Sequence, residues 1–134
     1  MHSPISSEAH RLHVLVVDAN PELCIIVSTV LTDEGYRVQT VGDGRAALDI
    51  MRASGTRLLV LLGLRLPYVT GLAVLEAVAA NPALARRHAI IMMTGAIGLA
   101  THGRVKVLCD QLGIALLAKP FSLQQLLDAV AVAR

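Results

Sequence analysis

The chain has 134 residues, of which 54% are hydrophobic, 16% charged and only 2% aromatic. This length and composition fit one folded domain with a normal core, and exclude both a disordered chain and a miniature fold that depends on staples. A net charge of +2 is too weak for an electrostatic nucleic-acid binder, and the longest near-apolar run, "AIIMMTGAIGLA", falls short of the roughly 18 residues that span a bilayer.

The opening "MHSPISSEAHR" lacks the apolar segment of a secretory leader. The mature chain is therefore expected to begin near Met1, with residues 1–11 a disordered tail and the protein in the cytoplasm. "LHVLVV" (12–17) is an unbroken apolar run rich in β-branched residues, which predicts a strand covered on both faces and ending at Asp18. In the following segment Asn20 is suited to cap a helix and Pro21 to its first position, with Leu23, Ile26, Val27, Val30 and Leu31 on one face and Gly35 closing it. "YRVQTV" alternates as an edge strand does, and "GDGRAALDIMRASG" predicts a turn and a helix with Ala47, Ile50 and Met51 inward.

"LLVLLGL" is the most buried-looking strand, and Gly63 stands at its end. A helix follows, with Thr70 as its cap and Asn81 and Pro82 as its stop. "HAIIMMT" predicts a fourth strand, residues 98–111 a weaker helix with Val105, Leu108, Cys109 and Leu112 at core spacing, and "IALLA" a short fifth strand. In the last helix Ser122 and Gln125 form a capping box ahead of the stripe Leu123, Leu126, Leu127, Val130 and Ala131.

Five strand–helix alternations with short connections predict an α/β domain: a doubly wound parallel sheet with right-handed crossovers and helices on both faces. Chemistry in such a sheet collects at the carboxyl ends of the strands, here Asp18, Gly63, Thr94 and Lys119. Neither GxGxxG nor GxxxxGK[ST] occurs, which removes the dinucleotide and P-loop readings. Cys24 and Cys109 are far apart with no ligand spacing, and read as small core residues. The five histidines are scattered and read as surface residues, and Arg86, Arg87, Arg104 and Lys106 read as a mildly basic, solvated cluster. Ile25, Ala129, Val132 and Ala133 are more apolar than a free helix surface needs, and are candidate partner or dimer faces.

Four segments in order resemble the receiver domain of two-component response regulators, over about residues 12–132. "VLVVDAN" resembles the first strand and its acidic pair, "LLVLLGLRLPYVTG" the phosphoacceptor strand and turn, "IIMMTGA" carries the family's Thr, and "LLAKPFS" its Lys followed by a Pro expected in cis. The resemblance implies five strands in the order 2-1-3-4-5, five helices, a single domain over 12–134 and a role in phosphorelay signalling. It also shows what is missing. The phosphoacceptor position is Gly63, the acidic pair is reduced to Asp18 beside Ala19, the aromatic reporter three residues before the Lys is Leu116, and the Asp preceding the turn's glycine is Thr70.

A complete site of three carboxylates and one Lys carries about −2 and calls for a cation, whereas Asp18 facing Lys119 carries about 0. No metal or other cofactor is therefore expected, and Mg²⁺ binding should be weak or absent. Asp18 and Lys119 are expected to meet in an ion pair or across a water. The expected protein is a catalytically silent, stand-alone receiver acting on a protein partner: a sensor kinase, another regulator or a second copy. The family's usual surfaces, the fourth helix, fifth strand and last helix, or the first helix for a kinase, are the expected contact faces. The alternative is a small-molecule or anion sensor using room vacated around Gly63, Thr94 and Lys119. An enzyme in the same shell has no visible nucleophile and base.

Overall fold

The computed structural model describes residues 12–95 and 103–133. The expected tail, and the first residues of the helix predicted over 98–111, lie outside them. Five parallel strands form one sheet in the order β2-β1-β3-β4-β5. They are β1 (His13–Val17), β2 (Arg37–Val41), β3 (Leu58–Gly63), β4 (Ala89–Gly95) and β5 (Ala115–Lys119). Among the described residues six helices connect them: α1 (Pro21–Asp33), α2 (Gly44–Ala53), α3 (Gly71–Ala79), α4 (Pro82–Arg87), α5 (Gly103–Leu112) and α6 (Leu123–Ala133).

The sixth helix corrects the expectation of five. Asn81 and Pro82 do stop α3, but they also start α4, where the Asn81 side chain accepts from Leu84 N at 3.2 Å and Pro82 takes the first position, at which no amide donor is needed. One dipeptide thus carries both signals. The other caps are as predicted: Asn20 accepts from the Glu22 and Leu23 amides, Thr70 from Ala73, and Ser122 exchanges bonds with Gln125 at 2.7 and 3.0 Å.

The central strands are apolar throughout because they feed two cores. On one side Leu15, Val17, Val60, Leu62 and Met92 meet α2, α3 and α5; on the other Val14, Val16, Leu61, Ile91 and Met93 meet α1 and α6. Alternation along each strand assigns neighbouring residues to opposite layers. The helix faces needed two corrections. In α1 the buried line is Cys24, Val27 and Leu31, and Ile26 is exposed with Ile25. In α6 Leu126 and Val130 are buried, while Leu123 and Ala131 face outward and Ala129 and Ala133 are partly packed against the core. Both helices touch the sheet through a narrower strip than hydrophobicity alone suggests.

The histidine reading also needs correction at one position. His88 is buried where α4 hands over to β4. Its Nδ1 accepts from Leu58 N at 3.0 Å, which leaves the proton on Nε2 to donate to Met51 O at 2.8 Å. The ring thereby ties the start of β3 to the end of α2. Burial lowers its pKa from the ordinary 6.5, the Met51 carbonyl partly opposes this, and the nearby charges of Arg87 and Arg57 reinforce it.

With the folded pKa below the unfolded one, the unfolded chain binds the extra proton first. Stability is then full above about pH 7.5 and falls as pH drops through 6.5, with a limiting slope of about 1.4 kcal/mol per unit. Urea midpoints between pH 7.5 and 5.5 should decline for the wild type and stay nearly level for His88→Gln. Parallel declines would show that another group controls the acid limb.

Candidate functional site

All four predicted strand-end residues lie at the carboxyl edge of the sheet, although they do not share one cavity. Asp18 leaves β1 with its amide donating to Val41 O at 3.2 Å, and is 6% exposed. Its Oδ1 accepts from Asn20 N at 2.9 Å and its Oδ2 from Lys119 Nζ at 2.7 Å. Lys119 ends β5 and joins Pro120 through a cis peptide. The ion pair is buried at the Asp18 end and partly wet at the Lys119 end, with side chains 7% and 36% exposed. Below it the Cys24 thiol donates to Asp18 O at 3.4 Å, and burial followed by the Asp18 charge pushes its pKa up, so it stays a thiol.

Gly63 ends β3 opposite Met93. A Cβ placed there would stand 2.8 Å from Asp18 Oδ2 and 3.0 Å from Val17 O. The room expected beside a side-chain-free position is therefore already taken up by the Asp18 carboxylate. The β3–α3 turn closes tightly over the same spot. Gly71 N donates to Leu64 O at 3.0 Å, and a side chain on Gly71 would collide with the Gly63 carbonyl. Within this turn Tyr68 adopts a left-handed φ of 66° and is 88% exposed.

A cavity of about 450 Å³ does open at this edge, lined among others by Asp18, Ala19, Thr94, Lys119 and Arg65. Gly63 is not among its walls, which corrects the expected pocket. Thr94 is buried, and its hydroxyl donates to Gly95 O at 3.2 Å. Ala19 is exposed and has no ligand atom on its side chain. Leu116 lies on β5 beside Met92, 43% exposed. Arg65 is a charged wall that sequence reasoning passed over, although it follows Gly63 by two residues in the quoted turn.

These residues do not fit a divalent ion. Hard cations need several oxygen ligands, and the one carboxylate here has an amide on one oxygen and an ammonium on the other. Among the described residues no group of three His, Cys, Asp or Glu side chains stands close enough to hold a metal.

Comparisons with known proteins agree with this architecture. The model of the response regulator receiver domain family matches residues 14–131. A probable chemotaxis protein CheY of Rhizobium etli is 30% identical over 126 residues, covering 92% of this chain and 93% of that protein. Among solved structures, chemotaxis protein CheY4 of Vibrio cholerae superposes with a TM-score of 0.75 at 27% identity, covering 92% of this chain and 98% of that one. The receiver domain of the Pseudomonas aeruginosa sensor histidine kinase PA1611, solved with a magnesium ion coordinated in its active-site cleft, gives 0.74 at 26% identity, covering 91% and 96%. The matched span, the 30% identical relative and the strand order together make this chain a member of the response regulator receiver domain family of two-component signalling.

Proposed function

We propose that this receiver signals without accepting a phosphoryl group, through contacts with a protein partner in the cytoplasm, and is not an enzyme. The observation that carries the reading is the end of β3. Gly63 has no side chain to phosphorylate, and the carboxylate beside it is held by Lys119 at 2.7 Å. Phosphoryl transfer needs an acceptor oxygen, a metal that bridges it to the donor and positive charge on the transferring group. The first is missing, the second has one already occupied ligand, and the Lys charge is spent within the protein. The same pairing counts against the anion-sensor alternative, since Lys119 is the cation that reading relied on.

Protein contact is supported by apolar side chains left outside the cores. Val107 on α5, Leu116 on β5 and Leu123 on α6 are 53%, 43% and 51% exposed on three elements consecutive in the chain, and Ile25 and Ile26 of α1 form a second patch. A sensor kinase, another regulator or a second copy are the partners of this reading. The basic residues give less support to nucleic acid than their numbers suggest. Arg104 pairs with Glu76 at 3.8 Å, while Arg86 and Arg87 end α4 at the amino edge of the sheet, so the four do not form the single cluster expected.

Incubation with acetyl phosphate and Mg²⁺, followed by intact-mass measurement, tests the proposal. The expected result is no phosphoryl increment while a phosphorylatable receiver in the same tube is labelled. Stoichiometric labelling of the wild type would overturn it.

A further inference from the structure

A second cavity lies at the opposite, amino edge of the sheet, far from the strand ends considered above. It measures about 610 Å³, within the range of small-molecule sites. Its origin is chemical. Ala85, Ala89, Ala115, Ala129 and Ala133 line it where larger side chains would close the space, and Gly113, at φ +68°, turns the chain from α5 into β5 along its margin. Val78, Ile90, Leu112, Ile114 and Val132 complete apolar walls drawn from α3, β4, α5 and α6 and from the α5–β5 turn.

The charges are asymmetric. Arg57 and Arg86 border the cavity, and among the described residues neither has a carboxylate within 4.0 Å. Asp128, the one acid on the wall, accepts from Gln124 at 2.7 Å. His88 lies in the floor with both ring nitrogens bonded to the backbone, so it adds no competing polar demand. The geometry points to a binding site for a small amphiphilic carboxylate, with its apolar body among the alanines and its anionic head between Arg57 and Arg86. An apolar molecule would forgo the charge-assisted contacts of the two exposed guanidiniums, and a bare anion would leave the apolar walls wet.

Octanoate, octanol and acetate separate these cases in an amide NMR titration of the whole chain. Octanoate should give saturable shifts at Val78, Ile114 and Ala129, with octanol at least about tenfold weaker and acetate without effect at these positions. R57E/R86E, which changes exposed side chains only, should weaken octanoate by about tenfold. A115F, which fills the cavity from the edge strand, should abolish it. Should A115F not fold, the arginine pair still decides. Equal binding of octanol and octanoate, unchanged affinity in R57E/R86E, shifts that never saturate, or shifts gathered at Ile25 and Val107 instead would each overturn the site.

Discussion

Gly63→Asp is expected to yield a protein that is less stable by about 2–4 kcal/mol and still unlabelled by acetyl phosphate, whereas Gly63→Asp combined with Ala19→Asp becomes labelled. The new Cβ would stand 2.8 Å from Asp18 Oδ2 and 3.0 Å from Val17 O. The first contact can be relieved only by moving a carboxylate that Asn20 N and Lys119 hold, and the second is to backbone and yields little. A second carboxylate then adjoins one that is only 6% exposed, with a single Lys between them and no cation site complete enough to offset the repulsion. Restoring a carboxylate at position 19 adds the missing hard ligand, so Mg²⁺ should stabilise the double variant and leave the single one nearly unaffected. Urea unfolding with and without Mg²⁺, beside intact-mass measurement, reads both effects. Equal labelling of the two variants would show that Ala19 is not what denies the metal its place. Gly63→Ala separates sterics from charge: it should lose about 1–3 kcal/mol, less than Gly63→Asp.

Lys119→Met is expected to lose about 2–3 kcal/mol, while Asp18→Asn with Lys119→Met loses less than either single change would suggest. Removing the ammonium leaves a carboxylate with 7% side-chain exposure and a single amide donor. Breaking a buried pair typically costs about 3–5 kcal/mol, and the lower figure applies because Lys119 is partly wet and water can take its place. In the double variant no charge is stranded, so the coupling energy from the four proteins of the cycle should be favourable. A coupling near zero would mean that the 2.7 Å contact holds the edge together no better than water does.

Much of this architecture was legible because its signals are local. The apolar run "LHVLVV", the caps at Asn20, Thr70 and Ser122, and the order of the strand-end residues depend on neighbours a few positions apart. What escaped depends on distant partners. His88 looks like any surface histidine until β3 and α2 bring Leu58 N and Met51 O to its two nitrogens. Ile26 matches the apolar face of α1 as well as Cys24 does, and only the angle at which the helix meets the sheet decides which is covered. At the site the residue types were readable, but the occupancy of space was not. An absent side chain at position 63 suggested room, and the carboxylate of residue 18 fills it.

The Asp18–Lys119 clasp also has a kinetic meaning. Its partners are 101 residues apart, one just past the first strand and the other at the end of the last, so forming the contact closes nearly the whole chain into a loop. The site thus fastens together segments from opposite ends of the sequence, and a chain that lacks β5 has no Lys119 to pair with Asp18.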